Sequence, residues 1–303
     1  MTVTAEMVKE LRERTGAGMM DCKRALTEAG GDAERAIELL RQRGLASAAK
    51  RAGRLASEGL VVAHLTPDAR VGSLVEINCE TDFVARNEEF QAFATEVAAA
   101  VVASNPAEPV GGGEALLPLP LGKTGQTIGE RLTGLIAKIG EHMTVRRYAR
   151  FALSGPGRIE SYIHLGGRIG VLVEGAASSD EVAARDAFRV SLRDVAMQVA
   201  AARPEYVSRA EVPAEVRERE LAIYRAQAAN EGKPPQIQER IAQGKLEKFF
   251  KDTCLLEQPF IRDPEKTVQA VLKERAKEAG GEIIVRRFVR FERGEGLSKP
   301  EGE

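Results

Sequence analysis

The sequence predicts an α+β fold, and three observations carry that prediction. Short runs with period-two alternation sit beside longer runs with helical spacing. Those runs recur as a unit, so one small strand-and-helix module is present twice. Helical segments without strands precede the first copy and interrupt the second. Small antiparallel sheets packed by helices satisfy all three.

The chain opens with a helical head. Val8 and Leu11 share a face of a first helix that stops before Gly16 and Gly18. Met19, Cys22, Ala25 and Leu26 follow helical spacing, and Gly30-Gly31 end that run. Asp32 is a good N-cap for a third helix with Ala33, Ala36, Ile37 and Leu40 on its inner face, and Gly44 is expected to end it. Ala46 to Arg54 reads as a linking helix or hinge. A head of this size has a marginal core by itself. It fits either a solubilising cap or a partner-docking module.

A shift of 98 residues lays Gly72-Ser73-Leu74-Val75-Glu76 on Gly170-Val171-Leu172-Val173-Glu174. The same shift lays Arg70 on Arg168, Phe90 on Phe188, Val97-Ala98 on Val195-Ala196 and Pro106 on Pro204. A shift of 140 lays Val145-Arg146-Arg147-Tyr148-Ala149-Arg150-Phe151 on Val285-Arg286-Arg287-Phe288-Val289-Arg290-Phe291. The difference places about 42 extra residues inside the second copy, between Pro204 and Val285. Each copy reads as a strand hairpin (59–65 with 72–78, then 158–164 with 169–174), a helix (87–103, then 184–202), a second helix and a final strand. In the final strand of copy one, Val145, Arg147, Ala149 and Phe151 are expected on one face, as in a sheet with one covered side. Gly111-Gly112-Gly113, flanked by Pro106, Pro109, Pro118 and Pro120, reads as a loop.

The insertion reads as a helical hairpin. Pro213 starts a helix carrying Val216, Leu221, Ile223, Tyr224 and Ala228, and Glu231-Gly232-Lys233-Pro234-Pro235 forms the turn. The return helix carries Ile237, Ile241, Leu246, Phe249 and Phe250. Charges crowd the outer faces, so the two helices should pack antiparallel as a short coiled arm. The arm serves either stability or contact with a partner or a second subunit. The resulting organisation is head and linker 1–54, copy one 55–151, copy two 152–205 and 262–296, hairpin 206–261, and tail 297–303.

Composition excludes several classes of function. The chain has 303 residues, with Lys+Arg 44 against Asp+Glu 45, a balance unlike that of a dedicated nucleic-acid binder. No apolar run approaches the about 18–20 residues that span a bilayer, and the first residues lack a signal-peptide pattern. A cytoplasmic protein is the expectation. Cys22, Cys79 and Cys254 lie far apart with no metal-ligand spacing, and His64, His142 and His164 are equally scattered. No phosphate-binding loop, serine-nucleophile elbow or zinc-protease motif is present. An enzyme built on His164, Asp82 or Cys79 would lack a paired base or nucleophile. No metal or resident cofactor is expected.

Thr81-Asp82-Phe83-Val84 holds the most information. At the 98-residue shift it falls on Ser179-Asp180-Glu181-Val182. The hydroxyl, the carboxylate and the β-branched residue recur, as suits a helix cap. Phe83 does not recur, and its counterpart Glu181 needs water. Phe83 is therefore a candidate exposed aromatic, which marks contact, or else it fills a gap local to copy one.

Val8 to Leu26, centred on Arg14-Thr15-Gly16-Ala17-Gly18-Met19-Met20-Asp21-Cys22-Lys23, resembles the N-terminal signature of bacterial elongation factor Ts. Glu76-Ile77-Asn78-Cys79-Glu80-Thr81-Asp82-Phe83-Val84-Ala85 resembles its second signature. The likeness continues through Ser161-Tyr162-Ile163-His164, Arg168 to Val173, Gln258-Pro259-Phe260 and Arg290 to Gly296, nearly the whole chain in order. The resemblance implies a guanine-nucleotide exchange factor for elongation factor Tu, without covalent chemistry. GDP, GTP and Mg²⁺ would be bound by that partner. It implies that the head is a ubiquitin-associated-like domain docking on the partner's nucleotide-binding domain, with Lys9, Arg12, Met19 and Met20 as contact candidates. It implies that Thr81, Asp82, Phe83 and Val84 dislocate the partner's Mg²⁺. His164 would face a more distant partner domain, Gly167 and Arg168 are further contact candidates, and Leu165 is set between His164 and Gly166. The hairpin would be a coiled-coil arm, associated with a homodimer in some members. Only Leu297 to Glu303 follow the Gly-Glu-Gly segment, so the C-terminal helical contact of some members is expected to be missing. The rival reading is a non-catalytic scaffold or ubiquitin-like-binding protein that uses the head alone. It leaves unexplained why only one core copy carries the Phe.

Overall fold

The structure is a computed structural model that describes residues 3–122 and 125–297. Tail residues 298–303 lie outside the described residues.

The head is α1 (Ala5–Thr15), α2 (Met19–Glu28) and α3 (Ala33–Arg51). Thr4 caps α1, its hydroxyl accepting from Met7 N, and Asp32 caps α3 by accepting from Glu34 N and Arg35 N. Val8, Leu11, Cys22, Ala25, Leu26, Ala29 and Ala36 close a small core. Gly44 does not end α3, contrary to the sequence expectation. The helix runs on through Gly44 to Arg51 and buries that glycine against α6 (Ile128–Ile139). A Cβ there would stand 3.2 Å from Thr133 Cγ2, so glycine is used for a close helix crossing. Arg41 pairs with Glu130 and Ala48 packs on the first core, so the expected linker is the docked end of the head.

Copy one contains β1 (Glu58–Leu65), β2 (Val71–Cys79), the single turn α4 (Asp82–Ala85), α5 (Glu88–Ser104), β3 (Val110–Gly112), α6 and β4 (Met143–Ala152). Its sheet has the antiparallel order β1-β2-β4-β3. Phe90, Phe93, Val97 and Val101 of α5 join Leu132, Leu135 and Ile136 of α6 over one face. Copy two contains β5 (Gly157–His164), β6 (Ile169–Ala177), the turn α7 (Asp180–Ala183) and α8 (Asp186–Ala202). After the insertion, made of α9 (Ala214–Asn230) and α10 (Pro235–Thr253), come β7 (Pro259–Phe260), β8 (Asp263–Thr267), α11 (Val268–Ala279) and β9 (Ile283–Glu292). The sheet order is β5-β6-β9, with α8 and α11 on one face.

Three expectations about these sheets are corrected. The pairing register of β4 shifts between Glu76 and Ile77, so Arg146 is an extra residue with no partner on β2. A bulge reverses the alternation on one side of it. Val145 and Tyr148 therefore face the helices, while Ala149 and Phe151 face the other way. That second face is also covered. Val61, Leu74, Ala149 and Phe151 meet Ile159, Leu172 and Phe291, so the two sheets pack on each other. Arg147 lies 4.4 Å over the Phe291 ring and Arg287 4.2 Å over Phe151, contacts exchanged by the 140-residue shift. The third correction concerns Gly111-Gly112. They form the edge strand β3, and a Cβ on Gly111 would press at 3.0 Å on the Tyr148 ring.

The insertion is a helical hairpin, with Ala228 and Ala242 fully buried where α9 and α10 approach. Its base is packed by Val212, Leu246, Phe250 and Cys254. Arg209 stacks 4.7 Å over Phe250 and pairs with Glu247 and Glu257. Farther out, Arg225 pairs with Glu239 at 2.5 Å, and with Gln243 it holds that carboxyl at about 2. Leu255 and Phe260, assigned to the insertion by sequence, pack in the core of copy two.

Candidate functional site

Strand β2 delivers Thr81 in an extended conformation, with φ −125° and ψ 156°. Its hydroxyl accepts from Val84 N at 3.4 Å and starts α4. Val84 and Ala85 turn inward and are buried. One helical step from Val84 rotates a side chain by about 100°, and Phe83 takes the outward direction. It is 79% exposed, more than any other large apolar residue described. Asp82, the first residue of the turn, pairs with Arg86 at 2.9 Å. Asn87 then caps α5 by accepting from Glu89 N and Phe90 N.

Copy two repeats this turn in geometry. Ser179 caps α7 by accepting from Val182 N at 3.3 Å, and Val182 is buried like Val84. Glu181 points to water, its carboxyl held below the usual range by the Ser179 hydroxyl. The turn thus forms without an apolar residue at the second position. No local gap is filled by Phe83, and its ring lies free for contact.

The corner between α6 and β4 supports the first turn. The Glu141 carboxylate accepts from Thr81 N at 3.0 Å and from Thr81 Oγ1 at 2.7 Å. Glu80 accepts from His142 N at 2.6 Å. The Gly140 carbonyl accepts from Arg51 Nε at 2.8 Å, which ties the corner to the end of α3. Sequence reasoning missed Glu141. It lies 60 positions from Thr81, and only the 140-residue shift, which lays it on Gly281, carries a signal.

The remaining candidates sit in two places. Lys9 and Arg12 are exposed on α1, with Lys9 4.0 Å from Glu13, and Met19 and Met20 open α2 at 58% and 62% exposure. His164 ends β5 with Nδ1 2.9 Å from the Tyr162 hydroxyl, whose ring lies under Arg193. Leu165 begins the loop at φ +48° and is largely exposed. Arg168 closes it, donating from its N to the His164 carbonyl, with its guanidinium 3.6 Å from Glu292. Gly167 departs from the expected surface position. It is buried at φ +96°, and its carbonyl accepts from Val61 N at 2.8 Å. Its role in the isolated chain is to hold this loop on β1.

Among the described residues no three His, Cys, Asp or Glu side chains form a metal cluster, and no helix is long and apolar enough to cross a membrane. Cys22, Cys79 and Cys254 are each fully buried. Burial, followed by the charges of Glu141 and Glu58, pushes the Cys79 thiol up to about 12, and burial raises the other two. A raised thiol pKa removes the nucleophilic thiolate at neutral pH. None of the three is expected to react with a thiol reagent at pH 8 in the folded protein, and all three should react in denaturant. Labelling followed by intact mass checks both statements.

The family model for elongation factor TS matches residues 80–295, from the residue before the Phe83 turn to Glu295. An elongation factor Ts of Clostridium perfringens (strain SM101 / Type A) is 53% identical over 99% of this chain and 95% of its own length. That of Clostridium botulinum (strain Eklund 17B / Type B) is 51% identical over 99% and 95%. That of Symbiobacterium thermophilum is 48% identical over 98% and 94%. The chain belongs to the elongation factor Ts family. It is thereby a translation elongation factor, and the head, outside the family model's range, falls within the stretch shared with these elongation factor Ts relatives.

Proposed function

We propose that the chain binds elongation factor Tu in its GDP form and promotes GDP release, so that GTP replaces it. The observation that carries this reading is Phe83, an aromatic ring held out on a turn that the duplicate copy builds without one. A nucleotide-binding partner holds the phosphates of GDP chiefly through backbone amides and Mg²⁺. Phe83 inserts between elements of the partner, and Asp82 approaches the Mg²⁺ region. The Mg²⁺ and the phosphate-binding loop then lose the arrangement that holds GDP. Binding is reciprocal: a factor that prefers the nucleotide-free partner weakens nucleotide by the ratio in which nucleotide weakens it. The head, through Met19 and Met20, and the loop carrying His164 and Arg168 supply further affinity. Thr81 and Val84 shape the turn. No bond is made or broken, and GDP, GTP and Mg²⁺ stay with the partner. The reaction belongs in the cytoplasm.

The test is stimulated release of fluorescent GDP from elongation factor Tu. The chain should accelerate release in a concentration-dependent, saturable manner. A release rate equal to the spontaneous one at every concentration would overturn the proposal.

A further inference from the structure

We infer that Glu141 is a positioning residue for exchange, acting through Phe83; this deepens the exchange reading and rests on it. The Phe83 turn stands on Thr81, and Thr81 is gripped twice by one carboxylate, through its backbone N–H and its hydroxyl. Bonds to an ionised acceptor are the strong ones, and two from one residue fix direction as well as distance. Glu141 is itself held. Its neighbours on both sides are anchored, Gly140 by Arg51 and His142 by Glu80, with His142 Nδ1 2.7 Å from the Arg54 carbonyl.

The duplicated copy shows that this grip is not a requirement of the fold. Its corner keeps the other link, because Ser178 Oγ accepts from Glu282 N where Glu80 accepts from His142 N. At the position of Glu141 it has Gly281, where even a Cβ would stand 2.5 Å from Val182 Cγ2. Ser179 caps its turn with no carboxylate from the corner; its hydroxyl meets Glu181 of the turn itself. The grip therefore accompanies the ring: the copy with Phe83 has Glu141, and the copy with Glu181 has neither. A ring 79% exposed receives little direction from its own packing. Its angle of entry into a partner is set by the turn beneath it, and Glu141 fixes that turn. Orientation of this kind enters the maximal rate more than the affinity.

The experiment measures fluorescent-GDP release from elongation factor Tu across factor concentration for the wild type, Glu141→Ala, Glu141→Gln, Phe83→Ala and the Phe83→Ala/Glu141→Ala double variant. Glu141→Ala should lower the maximal rate about ten-fold, with the half-saturating concentration moving less than about three-fold. Glu141→Gln should fall between, because the amide oxygen can accept only one of the two bonds. The double variant should match Phe83→Ala alone, since residues acting as one unit are not additive. An unchanged maximal rate for Glu141→Ala, or an additive double variant, overturns the inference. The chain has no tryptophan, so F83W places the sole tryptophan on the turn, excited selectively over the four tyrosines. Its anisotropy, read without any partner, should fall on adding Glu141→Ala or Glu141→Gln, and no fall overturns the inference. Absence of stimulation by the wild type strikes the exchange reading instead, while the anisotropy still reports on the positioning of the turn.

Discussion

Phe83→Ala is expected to lower the maximal rate of stimulated GDP release by about ten- to 150-fold, the equivalent of the roughly 1.5–3 kcal/mol gained by burying a Phe side chain. The ring is 79% exposed in the free chain, so that burial is realised only against a partner. Stability of the variant should stay within about 0.5 kcal/mol of the wild type, as for other substitutions away from packed features. The rate loss therefore cannot be assigned to unfolding, and denaturant melts run beside the kinetics establish this. The complex should still form, because the contacts proposed for the head and copy two do not involve Phe83. A variant at the duplicate position supplies the contrast. Glu181→Ala removes the side chain that stands where Phe83 stands, and it should change the rate by less than about two-fold, the range of a neutral surface change. Equal losses at positions 83 and 181 would end the argument that the two copies have divided their labour.

The sequence disclosed the internal repeat because the repeat is written in features that tolerate little change. Gly72 and Gly170 lie where the sheets meet: a Cβ on Gly72 would stand 2.8 Å from Ile159 Cγ2, and one on Gly170 2.8 Å from Leu74 Cδ1. Glu76 and Glu174 pair with Arg147 and Arg287, which stack on Phe291 and Phe151. Residues under two constraints at once recur at fixed shifts. The outward direction of Phe83 was legible for the opposite reason, since the copies differ there. What escaped notice depends on neighbours distant in the chain. The Arg146 bulge is set by the opposing strand, so simple alternation misplaced Val145. Gly44 reads as a stop unless α6 is known to lie against it. Gly111 has no side chain through which to announce a strand. Glu141 follows a glycine that ends α6, as many surface residues do, and its bonds to Thr81 exist only after folding.

Loss of the Glu76 carboxylate is the largest expected effect on stability. Glu76 is fully buried in β2 and accepts from Arg146 at 2.9 Å, Arg147 at 2.6 Å, Asn78 at 3.2 Å and Gly294 N at 2.8 Å. Those donors come from the same strand, the neighbouring strand and the segment beyond β9. One side chain thus fastens the end of copy two onto copy one. Arg146 and Arg147 also reach the carbonyls of Glu295 and Glu292, so the C-terminal segment is held from both directions. Removing one partner of a buried ion pair costs about 3–5 kcal/mol, because the other charge is left without compensation. The two arginine side chains keep 22% and 26% exposure, which places Glu76→Ala at the lower end, about 3 kcal/mol. Glu76→Gln keeps an acceptor but not the charge, and should lose about 1.5–3 kcal/mol. Among the described residues Glu174, the counterpart in copy two, pairs with one cation, Arg287, whose side chain is 42% exposed. The Glu174 side chain is 12% exposed, but the arginine left behind keeps its access to water, so Glu174→Ala should lose less than Glu76→Ala, about 1–2 kcal/mol. Urea denaturation of the three variants orders them Glu76→Ala, Glu76→Gln, Glu174→Ala by the drop in midpoint. Protease digestion should release the segment after β9 earliest in Glu76→Ala. Equal midpoints for the two alanine variants would show that position 76 carries no load beyond a strand-pairing charge, and that the copies are fastened by their apolar faces alone.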